Sequence, residues 1–225
     1  MIILWIELSY LLSPDETVTF ESIQKPDLQV RGRMTQGKYN NTSNIFTSCH
    51  AGTHIDTPFH ISMDGITVDR FDISDFIFER PLLIEMAKSD MEIISKGDLL
   101  PYADKLGKSD LLMVYTGFSK YRKTDPERYL SKPPGLGVES AKYLTENFDL
   151  KGFAIDTPGI ENVPEGRKTG FQTHKALMKP TRRFISIEDA NLKPIVGKRI
   201  KRVFAIPLRV VGAEASPITL FAEVE

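Results

Sequence analysis

Three of the four histidines of this chain fall within one short run, His50-Ala51-Gly52-Thr53-His54-Ile55-Asp56-Thr57-Pro58-Phe59-His60. Side chains of an extended segment alternate between two faces, so the even-numbered His50, His54, Asp56 and His60 share one. Imidazole with carboxylate suits Zn2+ or Mn2+. Three protein ligands leave a coordination position for water, which marks a catalytic rather than a structural site. A helix can bring histidines four apart onto one ion, but Gly52, Thr53, Ile55, Thr57 and Pro58 disfavour one here. In a straight strand the Cα atoms of His50 and His54 would stand about 13 Å apart, so the backbone is expected to bend or bulge at Gly52. A lone histidine is more often a packed or surface residue than a ligand; the clustering carries the metal reading. His60 can serve as a ligand or as a proton-transfer group.

The elements that must position this face can be read from the rest of the chain. Its 225 residues fit one domain with a sizeable core. A charged fraction of 26% and a net charge of -1 create no global field for nucleic acid or an anionic membrane, so a small-molecule partner is expected. The apolar run from Met1 to Glu7 lacks a basic leader, is too short for a signal peptide or a membrane span, and reads as the start of a strand over residues 2–8. The one cysteine, Cys49, excludes an intramolecular disulfide and fits a reducing cytoplasm. Being odd-numbered, it should face away from the histidines as a small buried residue.

Leu28 and Val30 alternate with polar neighbours as in a strand, and the polar stretch from Gly32 to Asn44 reads as a loop able to cover a substrate. Pro81–Met86 and the apolar Leu111–Tyr115 are strands, the second buried on both faces. Between them Asp98 is the expected N-cap of a helix over Leu99–Leu106. The basic, proline-containing stretch 119–137 reads as a solvated loop, Val138–Phe148 as a helix, and Phe153–Gly159 as a strand entering a turn. Asp156 stands there as either a functional or a capping carboxylate. Thr173–Met178 forms a short helix with His174 in its first turn, and Phe184–Ile187 a strand that delivers Glu188 at its end. Val203–Leu208 and Ile218–Val224 are strands, with Pro207 suited to an edge. Strands interleaved with helices give an α/β layered domain. No glycine-rich phosphate loop precedes a helix, which argues against nucleotide binding.

The histidine run resembles the HxGTHxDxPxH signature of the cyclase family that includes bacterial kynurenine formamidases and isatin hydrolases, with every specified position matched. Further support comes from Glu7-Leu8-Ser9, Thr116-Gly117, Pro134-Gly135-Leu136, Asp156-Thr157-Pro158, Pro207-Leu208-Arg209 and Ser216-Pro217. The resemblance implies a swivelling β/β/α fold with mixed sheet layers and flanking helices, metal-dependent hydrolase activity, and a homodimer or homotetramer. It implies that His50, His54 and Asp56 hold a first metal. Asp56, His174 and Glu188 would complete a second, Glu188 reaching both, so that one or two ions bind per chain. His60 would be the proton donor and acceptor. The spacing to His174 and Glu188 is a little longer than in formamidases. Where formamidases carry a tryptophan after the first strand, this chain has Val18-Thr19-Phe20, which makes Phe20 the candidate aromatic wall for substrate; its only tryptophan, Trp5, lies within the strand.

These readings converge on a hydrolase of a small amide, N-formyl aryl or cyclic, with metal-bound water as nucleophile, Zn2+ or Mn2+ as cofactor and His60 as proton shuttle. The alternatives are a metal-dependent cyclase or lyase acting beside a carbonyl, in which no water is consumed, and a non-catalytic metal- or ligand-binding protein.

Overall fold

The computed structural model describes residues 3–225. Its centre is a nine-stranded mixed sheet. Four parallel strands form one half: β6 (Pro81–Glu85), β8 (Leu111–Tyr115), β10 (Gly152–Ile155) and β11 (Ile185–Glu188). The antiparallel half contains β4 (His54–Asp56), β13 (Ala215–Val224), β12 (Ile200–Pro207) and β5 (Ile77–Phe78), with β1 (Leu4–Glu7) added along β13. The path runs β5-β12-β13-β4-β11-β10-β8-β6, and the sheet curls until β12 lies against β6. The central strand β4 joins the halves, antiparallel to both of its neighbours.

Why these segments are strands follows from what they bury. On β8, Leu111 and Met113 face a core shared with Val203, Ala205, Leu220 and Ala222 of the antiparallel half. Leu112 and Val114 face the opposite way, into a second core with Ala141, Leu144 and Leu177. A strand covered on both faces has no reason to alternate, hence the uninterrupted apolar run. The second core is roofed by α5 (Val138–Asn147) and α7 (Gln172–Leu177). The layers are thus antiparallel strands, parallel strands, then helices. No helix among the described residues is long and apolar enough to cross a membrane.

Several expectations are corrected. The first strand begins at Leu4; Ile2 lies outside the described residues. The loop expected over 32–44 contains the start of β3 (Thr42–Phe46), which pairs with β2 (Asp27–Gly32) as a separate hairpin exposed along nearly all its length. Exposed on both faces, β3 lacks the alternation that identifies a strand. Ser95, not Asp98, caps α1 (Lys96–Leu99); Asp98 closes the capping box three residues later. The stretch after β8 is not a solvated loop: it forms α3 (Tyr121–Thr124) and α4 (Pro126–Ser131), and it buries Arg122. Two single-turn helices are too short to show a 3.6-residue period. Cys49 is half-buried rather than buried, and lines a groove with Leu12 and Ile45 apart from the histidines.

Candidate metal centre

The histidine run is not one extended segment. Only His54–Asp56 is strand; His50 sits in a preceding turn and His60 ends a 3-10 helix, Pro58–His60, begun by Pro58. The expected bend is present at Gly52, whose φ of 67° is the left-handed region, and a Cβ there would come within 3.0 Å of Leu12. This bend folds His50 back until its Nδ1 is 2.9 Å from Oδ1 of Asp56. Sheet register supplies the next member: His54 pairs with Glu188 across β4 and β11, and their Nε2 and Oε2 atoms stand 3.4 Å apart. The helix α7 lowers His174 onto the same spot, with its Nε2 3.3 Å from Oε1 of Glu188. His60 completes the ring of imidazoles, its centroid 4.5 Å from that of His50 and 6.0 Å from that of His174.

The structure therefore gathers His50, His54, Asp56, His60, His174 and Glu188 around one cavity of about 160 Å3. Among the described residues, two trios have ligand atoms all within 4.8 Å of one another: His50, Asp56 and His60, and His54, Asp56 and Glu188. Asp56 is common to both. His174 belongs to neither trio and reaches the cluster through Glu188.

Three imidazoles are held from behind. His54 Nδ1 is 2.8 Å from the Gly52 carbonyl, His174 Nδ1 is 2.5 Å from Oε1 of Glu161, and His50 Nε2 is 3.2 Å from Oε1 of Glu214. Outer acceptors of this kind fix ring orientation and leave the inner nitrogen free to ligate. Two inner atoms, His54 Nε2 and Asp56 Oδ1, are buried with no hydrogen-bond partner, although His50 Nδ1 is close to the latter. Buried polar atoms are rarely left unpaired. This nitrogen and oxygen stand side by side 3.5 Å apart, too far to bond each other well and well placed to share a cation. The donor set, imidazole and carboxylate, fits a divalent metal.

Charge follows the same geometry. Burial alone would depress the His54 imidazole, but Asp56 and Glu188 outweigh it and raise it to about 9. Burial likewise opposes charge on His174, whose bonds to Glu161 and Glu188 raise it to about 10. Asp56 and Glu188, although buried, are held below the usual carboxylate range by these histidines. His60 goes the other way: burial, helped by His50 and His174, lowers it despite Asp56. Without a cation His54 and His174 thus form ion pairs with Asp56, Glu188 and Glu161, beside a His60 that burial disfavours as a cation.

Glu161 and Glu214 escaped the sequence reading. Glu161 lies in the turn entered by β10, five residues beyond Asp156, and its proximity to a strand end was the available signal. Asp156 itself is not at the centre. Its carboxylate accepts from the Thr116 amide at 2.7 Å, the Thr116 hydroxyl at 2.6 Å and the Ser119 hydroxyl at 2.9 Å, tying the ends of β8 and β10 together. Behind Glu188 stands a second unforeseen device, Asp189, with a φ of 50°. Its carboxylate takes Nε and Nη2 of Arg122, each at 2.8 Å, and the Tyr129 hydroxyl at 2.7 Å; its carbonyl accepts the Thr53 hydroxyl at 2.7 Å. Asp189 thereby locks the backbone beside both Glu188 and His54.

Phe20 lines the cavity as expected, joined by Ile23, Val163 and Phe171. Phe171 has a φ of 56° and stands edge-on to His174 at 5.5 Å. None of residues 32–44 lines it. Trp5 packs on Phe204 and Phe221 of β12 and β13 instead.

Residues 6–162 match a family model described as Putative cyclase. A kynurenine formamidase of Geobacillus thermodenitrificans is 27% identical over 215 residues, covering 95% of this chain and 94% of its own length. Isatin hydrolase A from Labrenzia aggregata, bound to benzyl benzoate, superposes with a TM-score of 0.84 at 20% identity, over 99% of this chain and 94% of that one. A potential metal-dependent hydrolase with cyclase activity superposes with a TM-score of 0.76 at 23% identity, over 100% of this chain and 99% of that one.

Proposed function

The chain belongs to the Putative cyclase family, and on that premise we propose that it is a metal-dependent hydrolase of a small amide, either an N-formyl aryl amide or a cyclic amide, using Zn2+ or Mn2+. One observation carries this reading: His54 Nε2 and Asp56 Oδ1 face each other in the interior 3.5 Å apart with no well-formed hydrogen bond, approached only by Glu188 at 3.4 Å and His50 at 2.9 Å, while the outer nitrogens of His50, His54 and His174 are each held by an acceptor. The relatives' names, a formamidase and an isatin hydrolase, point to amide hydrolysis.

His50, His54, Asp56, His174 and Glu188 are the residues that would hold a divalent cation, which when bound would supply Lewis acidity toward water and the substrate carbonyl. His60 is the proton shuttle. Its side chain makes no hydrogen bond among the described residues, and its lowered pKa keeps it neutral at pH 7. It takes a proton as the carbonyl is attacked and returns it to the leaving nitrogen, a role worth roughly 10² to 10⁴ in rate. Glu161 and Glu214 hold the His174 and His50 rings in place through that cycle, and Phe20, Ile23, Val163 and Phe171 exclude bulk water from it.

The test combines elemental analysis of protein purified without added metal with product masses from a formanilide and a cyclic amide. Bound metal and a gain of one water are expected. Turnover without that gain would replace hydrolysis by cyclase or lyase chemistry. Bound metal without turnover across an amide and ester panel would leave a metal-binding protein.

A further inference from the structure

Among the described residues, Met91, Phe171 and Asp189 are the non-glycine positions with a left-handed backbone. Asp189 directly follows Glu188, and Phe171 lies three residues before His174, at the start of α7. A φ of 56° crowds the Cβ of an aromatic residue against its own backbone, so such a conformation is costly and persists only where the surroundings impose it. Gly170 before it, with a φ of 76°, takes the same region without that cost. Glycine or asparagine would make the turn at 171 with less strain, which points to a use for the phenyl ring.

That ring packs on α6 (Val163–Thr169) and on the His174 imidazole. Gly166 of α6 is buried, and a Cβ there would come within 2.7 Å of the phenyl ring and 3.3 Å of the Glu161 carboxyl carbon, so glycine is what lets both groups approach His174. The Phe171 amide donates to the Gly166 carbonyl at 2.9 Å, which ties the turn to α6. The ring meets the imidazole edge-on, at 89° and 5.5 Å between centroids. Support of this kind matters most for His174. His54 is fixed by sheet register, whereas α7 has six residues and no side-chain cap at its start, too little to hold itself in place. Glu161 holds Nδ1, but a single ring contact leaves the imidazole free to tilt about it.

We infer that Phe171 is a positioning residue for His174: its ring, seated on Gly166, bars the imidazole from tilting and keeps Nε2 directed at Glu188, where a cation would be shared. Nε2 stands 3.3 Å from Oε1 of Glu188, yet His174 belongs to neither close trio, so a small swing of α7 would take it out of reach. This inference rests on the metal-centre reading and adds to it the two residues that set its helix-borne ligand.

The experiment measures the Kd for Zn2+ by competitive chelator titration of the metal-free full chain, taking the weaker ion where two bind. Phe171→Gly keeps the left-handed turn without strain and deletes the ring; Gly166→Ala keeps the ring and displaces it. Each is made in the wild type and in His174→Ala. Both single variants should weaken Zn2+ binding by about 10-fold, the lower end of what outer contacts to a ligating histidine are worth. Neither should weaken it further once His174 is gone, because a residue that acts through His174 has nothing left to position. Where Phe171→Gly does not fold, Phe171→Leu, which keeps apolar volume without a planar ring, takes its place in the same comparison. An unchanged Kd in the Phe171 variant overturns the inference and leaves the metal centre standing. An equal loss with and without His174 overturns it as well, since the ring then acts on the fold at large. Wild-type protein that binds no Zn2+ sinks the metal-centre reading itself and the inference with it.

Discussion

Replacing Arg122 with Met probes the frame that holds Glu188. The guanidinium and the Asp189 carboxylate are almost fully buried, at 3% and 5% side-chain exposure. Met fills the volume of the arginine stem but leaves Asp189 with the Tyr129 hydroxyl as its remaining side-chain donor. Breaking a buried pair at one partner typically costs about 3 to 5 kcal/mol, since a charge is left uncompensated. In a chain of this size each kcal/mol shifts Tm by roughly 2 to 4 °C, so the melting temperature should fall by about 6 to 20 °C. The melt is recorded with a chelator present, which removes stabilisation by bound metal from the comparison. Adding Asp189→Asn removes the stranded charge, and Asn tolerates the left-handed backbone that this position requires. The double variant should therefore be more stable than the sum of the single effects predicts, by roughly 0.5 to 3 kcal/mol. A drop of less than about 2 °C for Arg122→Met, or strict additivity in the double variant, would refute the account of Asp189 as the lock behind the centre.

His60→Ala should retain metal while kcat falls by roughly 10² to 10⁴; loss of metal along with activity would make His60 a ligand of the trio it forms with His50 and Asp56. Glu161→Gln keeps an acceptor beside His174 but removes its charge, and should weaken metal affinity by about 10- to 100-fold; unchanged affinity in a competitive chelator titration would show that the contact does not orient a ligand. In the metal-free protein His54 and His174, at about 9 and about 10, are both charged at pH 7. Ligation needs neutral imidazole, so metal binding at pH 7 should release up to about two protons, and affinity should climb with pH. Calorimetry in buffers of different ionisation enthalpy counts those protons, and buffer-independent heat would sink the expectation. The raised histidines stabilise the metal-free fold below their ordinary value of 6.5, and that contribution is lost as pH rises through about 9 to 10. Lowered Asp56 and Glu188 contribute above their ordinary values of 3.8 and 4.5 and lose it as pH falls. Tm without metal should thus be highest between these limits.

What could be read from the sequence is what short-range chemistry encodes. His50, His54, Asp56 and His60 are close in the chain, and a left-handed glycine, three residues of strand and one 3-10 turn suffice to bring them toward one point. Continuous apolar runs such as Leu111–Tyr115 announce strands buried on both faces, and the helix Val138–Asn147 carries its own period. His174 and Glu188 were named through the family resemblance, and the structure brings both to the cavity.

The rest depends on contacts that no local pattern records. The pairing of His54 with Glu188 is a matter of sheet register between strands more than a hundred residues apart. Glu161 meets His174, Glu214 meets His50 and Arg122 meets Asp189 only after the chain has folded back on itself. A carboxylate behind a histidine looks in sequence like any other surface acid, and Arg122 looks like one more cation in a basic stretch. For Glu161 and Arg122 burial decides otherwise: once water is excluded, an unpaired charge is costly, so these groups persist in the interior only in pairs, and the pairs fix the residues around the candidate centre.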